Sequence, residues 1–280
     1  MTLLVRTRDE LDAATSEARP TAVVMTMGAL HDGHAELMRE ARRLLPPEGR
    51  VIVTDFVNPT QFGAGEDFGR YPRTLEADVE VCERNGVDIV LAPSVAEVYG
   101  GSELGITVDP GPRGAILEGA SRPGHFAGVL TVVAKLMHIT RPDIALYGEK
   151  DYQQLVLIRD MARALDFPLQ VVGVPTVREP DGLAMSSRNR YLSEDARARA
   201  AAIPRALDAG RAVAGSGAAA VVAAAREALD AEGIAIDYVT VTDTALGESP
   251  ASGTGRLLIA VVVDGTRLID NAEVTLESCV

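Results

Sequence analysis

Ala22-Val23-Val24-Met25-Thr26-Met27-Gly28-Ala29-Leu30-His31-Asp32-Gly33-His34-Ala35-Glu36-Leu37-Met38 is the stretch on which the fold turns. Ala22-Val23-Val24 reads as a short buried strand, and the apolar residues after His34 recur at helical spacing. The glycine-bearing turn between them therefore lies at a strand's carboxyl end and a helix's amino end. Backbone N–H groups at such a place face outward, and the aligned peptide dipoles favour an anion. His31 and His34 flank Gly33 and add donors that can follow a phosphate as its charge builds. Taken alone they also suit a metal pair or plain loop residues; the strand-turn-helix setting favours the anion.

Working outward, the pattern repeats. Residues 7–19 form a short amphipathic lead-in ended by Pro20, and Pro46-Pro47 closes the helix after His34. Residues 51–57 are a second strand, β-branched and mostly apolar, as in a parallel sheet covered on both faces. Pro72 opens a helix carrying Leu75, Val79 and Cys82, which Asn85-Gly86 stops. Further strands are expected at 88–92, 143–147 and 169–174, with helices through Val129 to Met137 and Leu155 to Leu165. Residues 105–114, rich in glycine and proline, are a connection or a short edge strand. This predicts an α/β fold: a doubly wound, Rossmann-like parallel sheet over residues 1–176, its ligand at the strands' carboxyl ends.

From residue 177 to 280 a smaller α+β lid domain is expected. Ser193 caps one long helix there, and a second runs over about 218–232. Residues 237–241 and 257–263 read as strands, with Asp264-Gly265 as a hairpin turn.

The chain has 280 residues and a net charge of −13, which argues against a nucleic-acid partner. No apolar run is long enough to cross a bilayer, so no membrane partner is expected. The first residues lack a signal peptide's apolar region, and a cytoplasmic protein is expected. Cys82 and Cys279 are lone thiols without a metal-binding spacing. If the anion is a polyphosphate, an acidic chain must concentrate cations locally, so Lys and Arg in turns carry weight.

Two turns meet that requirement. In Gly148-Glu149-Lys150-Asp151 the glycine allows close backbone approach and Lys150 supplies a point charge; Asp151 caps the next helix, holds Mg²⁺ through water, or does both. Met185-Ser186-Ser187-Arg188 offers two hydroxyls and a guanidinium to a triphosphate, or is a linker with incidental charge. Gln61 and Gln154 follow two strands and suit the hydroxyls and carboxylate of a small polar substrate. His125 beside Arg122 adds to the anion site, and His138 reads as a packing histidine.

The turn around His31 and His34 resembles the His-x-Gly-His signature of the nucleotidylyltransferase superfamily. Together with Phe56-Val57-Asn58-Pro59, Gln61-Phe62, Tyr71-Pro72-Arg73, Gly148-Glu149-Lys150-Asp151-Tyr152-Gln153-Gln154 and Met185-Ser186-Ser187-Arg188-Asn189, the chain resembles the pantoate–β-alanine ligase family over nearly its full length. The resemblance implies ATP-dependent condensation of pantoate with β-alanine through a pantoyl adenylate, with Mg²⁺, in a homodimer. It implies that Met27, Gly28, Ala29, Leu30, His31, Asp32, Gly33 and His34 bind ATP, with His34 the proton donor and His31 its partner. Gly148, Glu149, Lys150, Asp151, Val177, Met185, Ser186, Ser187 and Arg188 complete the ATP site, Lys150 acting in catalysis and Asp151 toward Mg²⁺. Gln61 and Gln154 hold pantoate, and Gln61 also lies near β-alanine. Another His-x-Gly-His nucleotidylyltransferase and a non-catalytic nucleotide sensor are the alternatives. Two residues depart from the family pattern: Met25 stands where proline is usual, and Asp55 where an apolar residue is usual. A carboxylate at 55, in a central strand, requires a partner or a raised pKa.

Overall fold

The computed structural model describes residues 1–63, 65–101 and 104–277; Cys279 lies outside the described residues. The chain divides into two compact units. One comprises Met1–Glu149 and Gln153–Pro175, the other Lys150–Tyr152 and Thr176–Val280.

The first unit is built on six strands: β1 (Leu3–Val5), β2 (Thr21–Thr26), β3 (Arg50–Asp55), β4 (Ile89–Leu91), β5 (Ile144–Gly148) and β6 (Gln170–Val174). They pair in parallel in the order β1-β4-β3-β2-β5-β6. The order reverses at β2, with β3 on one side and β5 on the other, which is the topological switch point where such sheets bind ligands. The helices are α1 (Arg8–Ala14), α2 (Asp32–Leu44), α3 (Leu75–Arg84), α4 (Val95–Tyr99), α5 (Glu118–Ser121), α6 (His125–Thr140) and α7 (Tyr152–Ala164).

Side-chain alternation divides the core. Val23, Ile52, Ile89 and Ala145 pack with Val129, Val133 and Met137 of α6 and Leu155 and Ile158 of α7. Val24, Val51, Val53 and Leu146 pack with Leu37, Met38 and Ala41 of α2 and Cys82 of α3. Both faces are covered, so the strands read as apolar runs rather than as alternation.

Three local features sharpen the sequence reading. Ahead of the lead-in lies β1, too short to show a period, and the lead-in itself contains α1, opened by a capping box between Thr7 and Glu10. Helix α3 begins at Leu75 after Thr74, not at Pro72. The glycine- and proline-rich segment contains a 3₁₀ turn, Pro112–Ala115, and no strand among the described residues.

The second unit holds α8 (Glu194–Ala200), α9 (Ala202–Ala212) and α10 (Ala218–Asp230), with an antiparallel sheet β7-β8-β9. Its strands are β7 (Ala235–Asp243), β8 (Gly253–Val263) and β9 (Thr266–Leu276). Ile203, Leu207, Leu229, Leu257 and Ile259 are its core. The single long helix expected after Ser193 is two, divided at Ala201. Pro204 has no N–H to return to the Ala200 carbonyl, so the helix cannot run through. Asp264 and Gly265 both have positive φ, as a two-residue hairpin turn requires. Among the described residues no helix is long and apolar enough to cross a membrane.

Candidate active site

The chain leaves β2 at Thr26, whose hydroxyl donates to the Thr54 carbonyl at 2.7 Å and accepts the Gly28 N–H at 3.2 Å. The next two N–H groups, of Ala29 and Leu30, donate to the Asp78 carboxylate on α3 at 3.0 and 2.7 Å. Thr74 donates a third hydrogen bond to the same carboxylate at 2.9 Å. His31 caps α2: its Nδ1 accepts the Gly33 N–H at 3.1 Å, while its own N–H donates to His34 Nδ1 at 3.3 Å. The two rings lie 4.1 Å apart.

Two consequences follow for chemistry. Each histidine uses Nδ1 as an acceptor, which places the ring proton on Nε2 and makes Nε2–H the donating edge. The N–H groups of residues 28–31 and 33 all donate within the protein, so they are not the outward-facing anion donors expected of this turn. Imidazole N–H groups and the dipole of α2 are what it offers a phosphate.

Asp55 ends β3 directly beneath this turn. A Cβ added at Gly28, where φ is +77°, would lie 2.5 Å from Asp55 Oδ1, so only glycine fits there. The partner of Asp55 is a second carboxyl group, that of Asp78, and burial together with that neighbour pushes the Asp55 pKa up to about 7.

The turn after β3 holds Asn58, only 1% exposed, and the 3₁₀ segment Pro59–Gln61. Asn58 Nδ2 donates to Gln61 Oε1 at 3.1 Å and to the Gly128 carbonyl at 3.2 Å. Its Oδ1 accepts from the Thr60 N–H, the Thr60 hydroxyl and the Tyr99 hydroxyl. That network fixes which way the Gln61 amide faces: its NH₂ meets Met27 Sδ at 3.0 Å. Met27 and Gln61, from different turns, are thereby brought together. A thioether is a weak acceptor, and the amide can exchange it for a substrate oxygen.

His125 and Arg122 do not serve an anion as expected. Arg122 makes a two-pronged ion pair with Glu66 at 2.8 and 2.7 Å and donates to His125 Nε2 at 3.0 Å. The His125 Nδ1–H then donates to the Gln61 carbonyl at 2.8 Å. Burial, with the adjacent guanidinium, pushes the His125 pKa down to about 4, so the ring is a neutral strut behind Gln61. His138 stacks near Phe167, a packing role.

At the end of β5, Gly148 and Glu149 lead toward α7, where two adjacent glutamines divide their duties. Gln153 is buried and tied to backbone, donating to the Arg113 and Ile116 carbonyls and accepting from the Glu118 N–H. Gln154, in the same helix, is half-buried.

In the second unit, the Lys150 carbonyl accepts Asn271 Nδ2 at 2.9 Å, and its ammonium lies 3.7 Å from the half-exposed Asp151 carboxylate. Val177 and Met185 are joined by a backbone hydrogen bond of 3.0 Å beside an Arg178–Ala184 bridge. Ser186 then caps the 3₁₀ segment Ser187–Tyr191 by accepting the Arg188 N–H. Val177, Met185, Ser186, Ser187 and Arg188 thus form one local structure. Among the described residues no three metal-ligating side chains cluster. The donor set does not fit a resident ion; a single carboxylate, Asp151, fits a water-mediated contact to an ion that arrives on a phosphate chain.

Sequence reasoning missed Asp78, and it quoted Asn58 and Gln153 within motifs without giving either a role. Asp78 left one trace: it is an acid in the i+3 slot after Leu75, on the stripe that continues through Val79 and Cys82.

The family model described as pantoate-beta-alanine ligase matches residues 3–273. A pantothenate synthetase of Salinispora arenicola is 56% identical over 281 residues, covering 99% of both chains. The crystal structure of the pantothenate synthetase from Thermus thermophilus superposes with a TM-score of 0.91 at 46% identity, covering 97% of this chain and 99% of that one. A pantoate-beta-alanine ligase from Francisella tularensis, solved with beta-gamma ATP and beta-alanine, gives 0.82 at 31% identity over 97% of each chain. With a family model spanning nearly all of it and relatives above half identical from end to end, this chain belongs to the pantoate–β-alanine ligase family.

Proposed function

We infer that the protein condenses pantoate with β-alanine, consuming ATP and releasing AMP and pyrophosphate, through an enzyme-bound pantoyl adenylate. The observation that carries this reading is the pair of neutral histidines at the start of α2. In both, Nδ1 accepts a backbone N–H, which puts the ring proton on Nε2, the edge suited to a phosphate oxygen. No nucleophilic side chain is required, because pantoate's own carboxylate attacks the α-phosphorus. The protein orients the reactants and stabilises charge on the pentacoordinate phosphorus.

His34 donates to the α-phosphate as pyrophosphate departs, with His31 and Lys150 on the same phosphate chain. Residues 27–34, 148–151, 177 and 185–188 bind ATP. Gln61 and Gln154 hold pantoate through its hydroxyls and carboxylate, and Gln61 borders the β-alanine site. Mg²⁺ enters as part of the ATP substrate, with Asp151 reaching it through water. The enzyme works as a homodimer in the cytoplasm, without a nucleic-acid or membrane partner; the net charge of −13 supports the former exclusion.

β-Alanine's amine then attacks the acyl carbon, and the oxygen bridging carbon and phosphorus leaves with AMP. Pantoate labelled with heavy oxygen in its carboxylate tests the route. One labelled oxygen per turnover is expected in AMP. Label in inorganic phosphate, with ADP as product, would instead mean attack at the γ-phosphorus and an acyl phosphate.

A further inference from the structure

Between the sheet and the histidine turn lie two carboxyl groups that the mechanism does not use. Asp78, 2% exposed, receives three hydrogen bonds, from the N–H groups of Ala29 and Leu30 and the Thr74 hydroxyl. All three are donors, so Asp78 acts purely as an acceptor and needs no proton of its own. Asp55 lies within hydrogen-bonding reach of it and directly below Gly28, close enough that a Cβ there would collide with its carboxyl oxygen. Two ionised carboxylates cannot share such a place, and one proton resolves the conflict. The donor count assigns that proton to Asp55.

We propose that Asp55 is a positioning residue of the phosphate turn: it carries the one proton between the two carboxyl groups and donates it to Asp78, holding Asp78 against the Ala29 and Leu30 N–H groups. Asp78 in turn fixes the backbone that leads into His31. Loss of the proton sets two charges against each other under Gly28, and the turn loses its anchor.

The ionisable groups facing Asp55 are Asp78 and Cys82 on α3; the thiol, pushed up to about 12 by burial and these two acids, stays neutral. Strand β2 faces it with Thr26, and the turn above it continues into His31 and His34. The raised Asp55 pKa of about 7 puts the loss of the proton within reach of ordinary assays.

The proposal rests on residues 27–34 being the phosphate turn, and the test separates the two ideas. Pantoate- and ATP-dependent pyrophosphate release is measured against pH for the full chain, Asp55→Asn and Asp55→Leu. Asparagine keeps a donor and cannot ionise; leucine keeps the volume without a donor. The ratio of the Asn variant's rate to wild type should rise roughly tenfold between about pH 6 and 8, as expected for one group ionising near 7. Histidine ionisations common to both cancel in that ratio. The Leu variant should show a KM for ATP raised several-fold at every pH, which asparagine rescues. In wild type with ¹³Cγ-labelled aspartate, one carboxyl resonance should titrate near pH 7. A pH-independent ratio overturns the proposal. So does the absence of that resonance, which keeps the test decisive should a variant fail to fold. Wild type that releases no pyrophosphate at any pH would instead sink the assigned reaction, while the resonance still reports on the proton.

Discussion

A histidine beside a phosphate acts as a cation or as a neutral donor, and the partner of its second nitrogen decides which. His31 and His34 each give Nδ1 to a backbone N–H, so a proton sits on Nε2 in the neutral ring. This fits a group that donates as negative charge builds on phosphorus and need not take up a proton first. His34→Ala should lower turnover by on the order of 10²–10³, the scale for one lost transition-state donor, with a smaller change in the KM for ATP. His34→Gln, whose amide reaches a similar point, should recover part of the loss. Steady-state AMP release checks both, and an Ala variant within a few-fold of wild type removes His34 from the chemistry. The place of these histidines between strand and helix was legible from their spacing. Their tautomer was not, because it depends on which backbone groups the folded turn turns inward.

Helix α6 is the element on which the Gln61 turn rests. Thirteen of its sixteen residues are buried, and its Gly128 lies against the Thr60 carbonyl so closely that a Cβ would stand 2.3 Å from that oxygen. The Gly128 carbonyl also receives the Asn58 amide. Gly128→Ala must therefore displace backbone that carries Gln61, at about 1–3 kcal/mol of stability. The KM for pantoate should rise more than that for ATP, by thermal unfolding and steady-state kinetics; unchanged values for both would show that the turn does not rest on α6. Elements of this kind were legible where their signal is local. The central strands are apolar runs because both faces are covered, and α2 and α6 carry sustained helical spacing. What escaped was set by distant partners or by single atoms. β1 is three residues whose pairing with β4 supplies its reason to exist, the missing N–H of Pro204 divides one helix into two, and Asp78 acts on a turn 48 residues away.

At the scale of the molecule, two buried groups perturbed in opposite directions shape stability against pH. His125 is neutral when folded, with a pKa of about 4 against 6.5 ordinarily. Between those values the unfolded chain binds more protons, so this group makes stability rise with pH. Asp55 does the reverse: about 7 when folded against 3.8 ordinarily, it binds more protons in the folded chain, and stability falls over that range. Each slope is limited to about 1.4 kcal/mol per pH unit, and over the shared window they oppose. Wild type should therefore show a nearly level unfolding midpoint between about pH 4.5 and 6.5. Below that, stability should drop as Glu66 and Glu179, held low by Arg122 and Arg197, take up protons and release their guanidinium partners. His125→Asn keeps a donor toward the Gln61 carbonyl but cannot ionise, and it leaves the Asp55 slope unopposed. Its urea midpoint should fall steadily from about pH 4.5 to 6.5 while wild type stays level, since every other ionising group is common to both chains. A variant whose curve runs parallel to wild type would mean that His125 is not kept neutral by the fold.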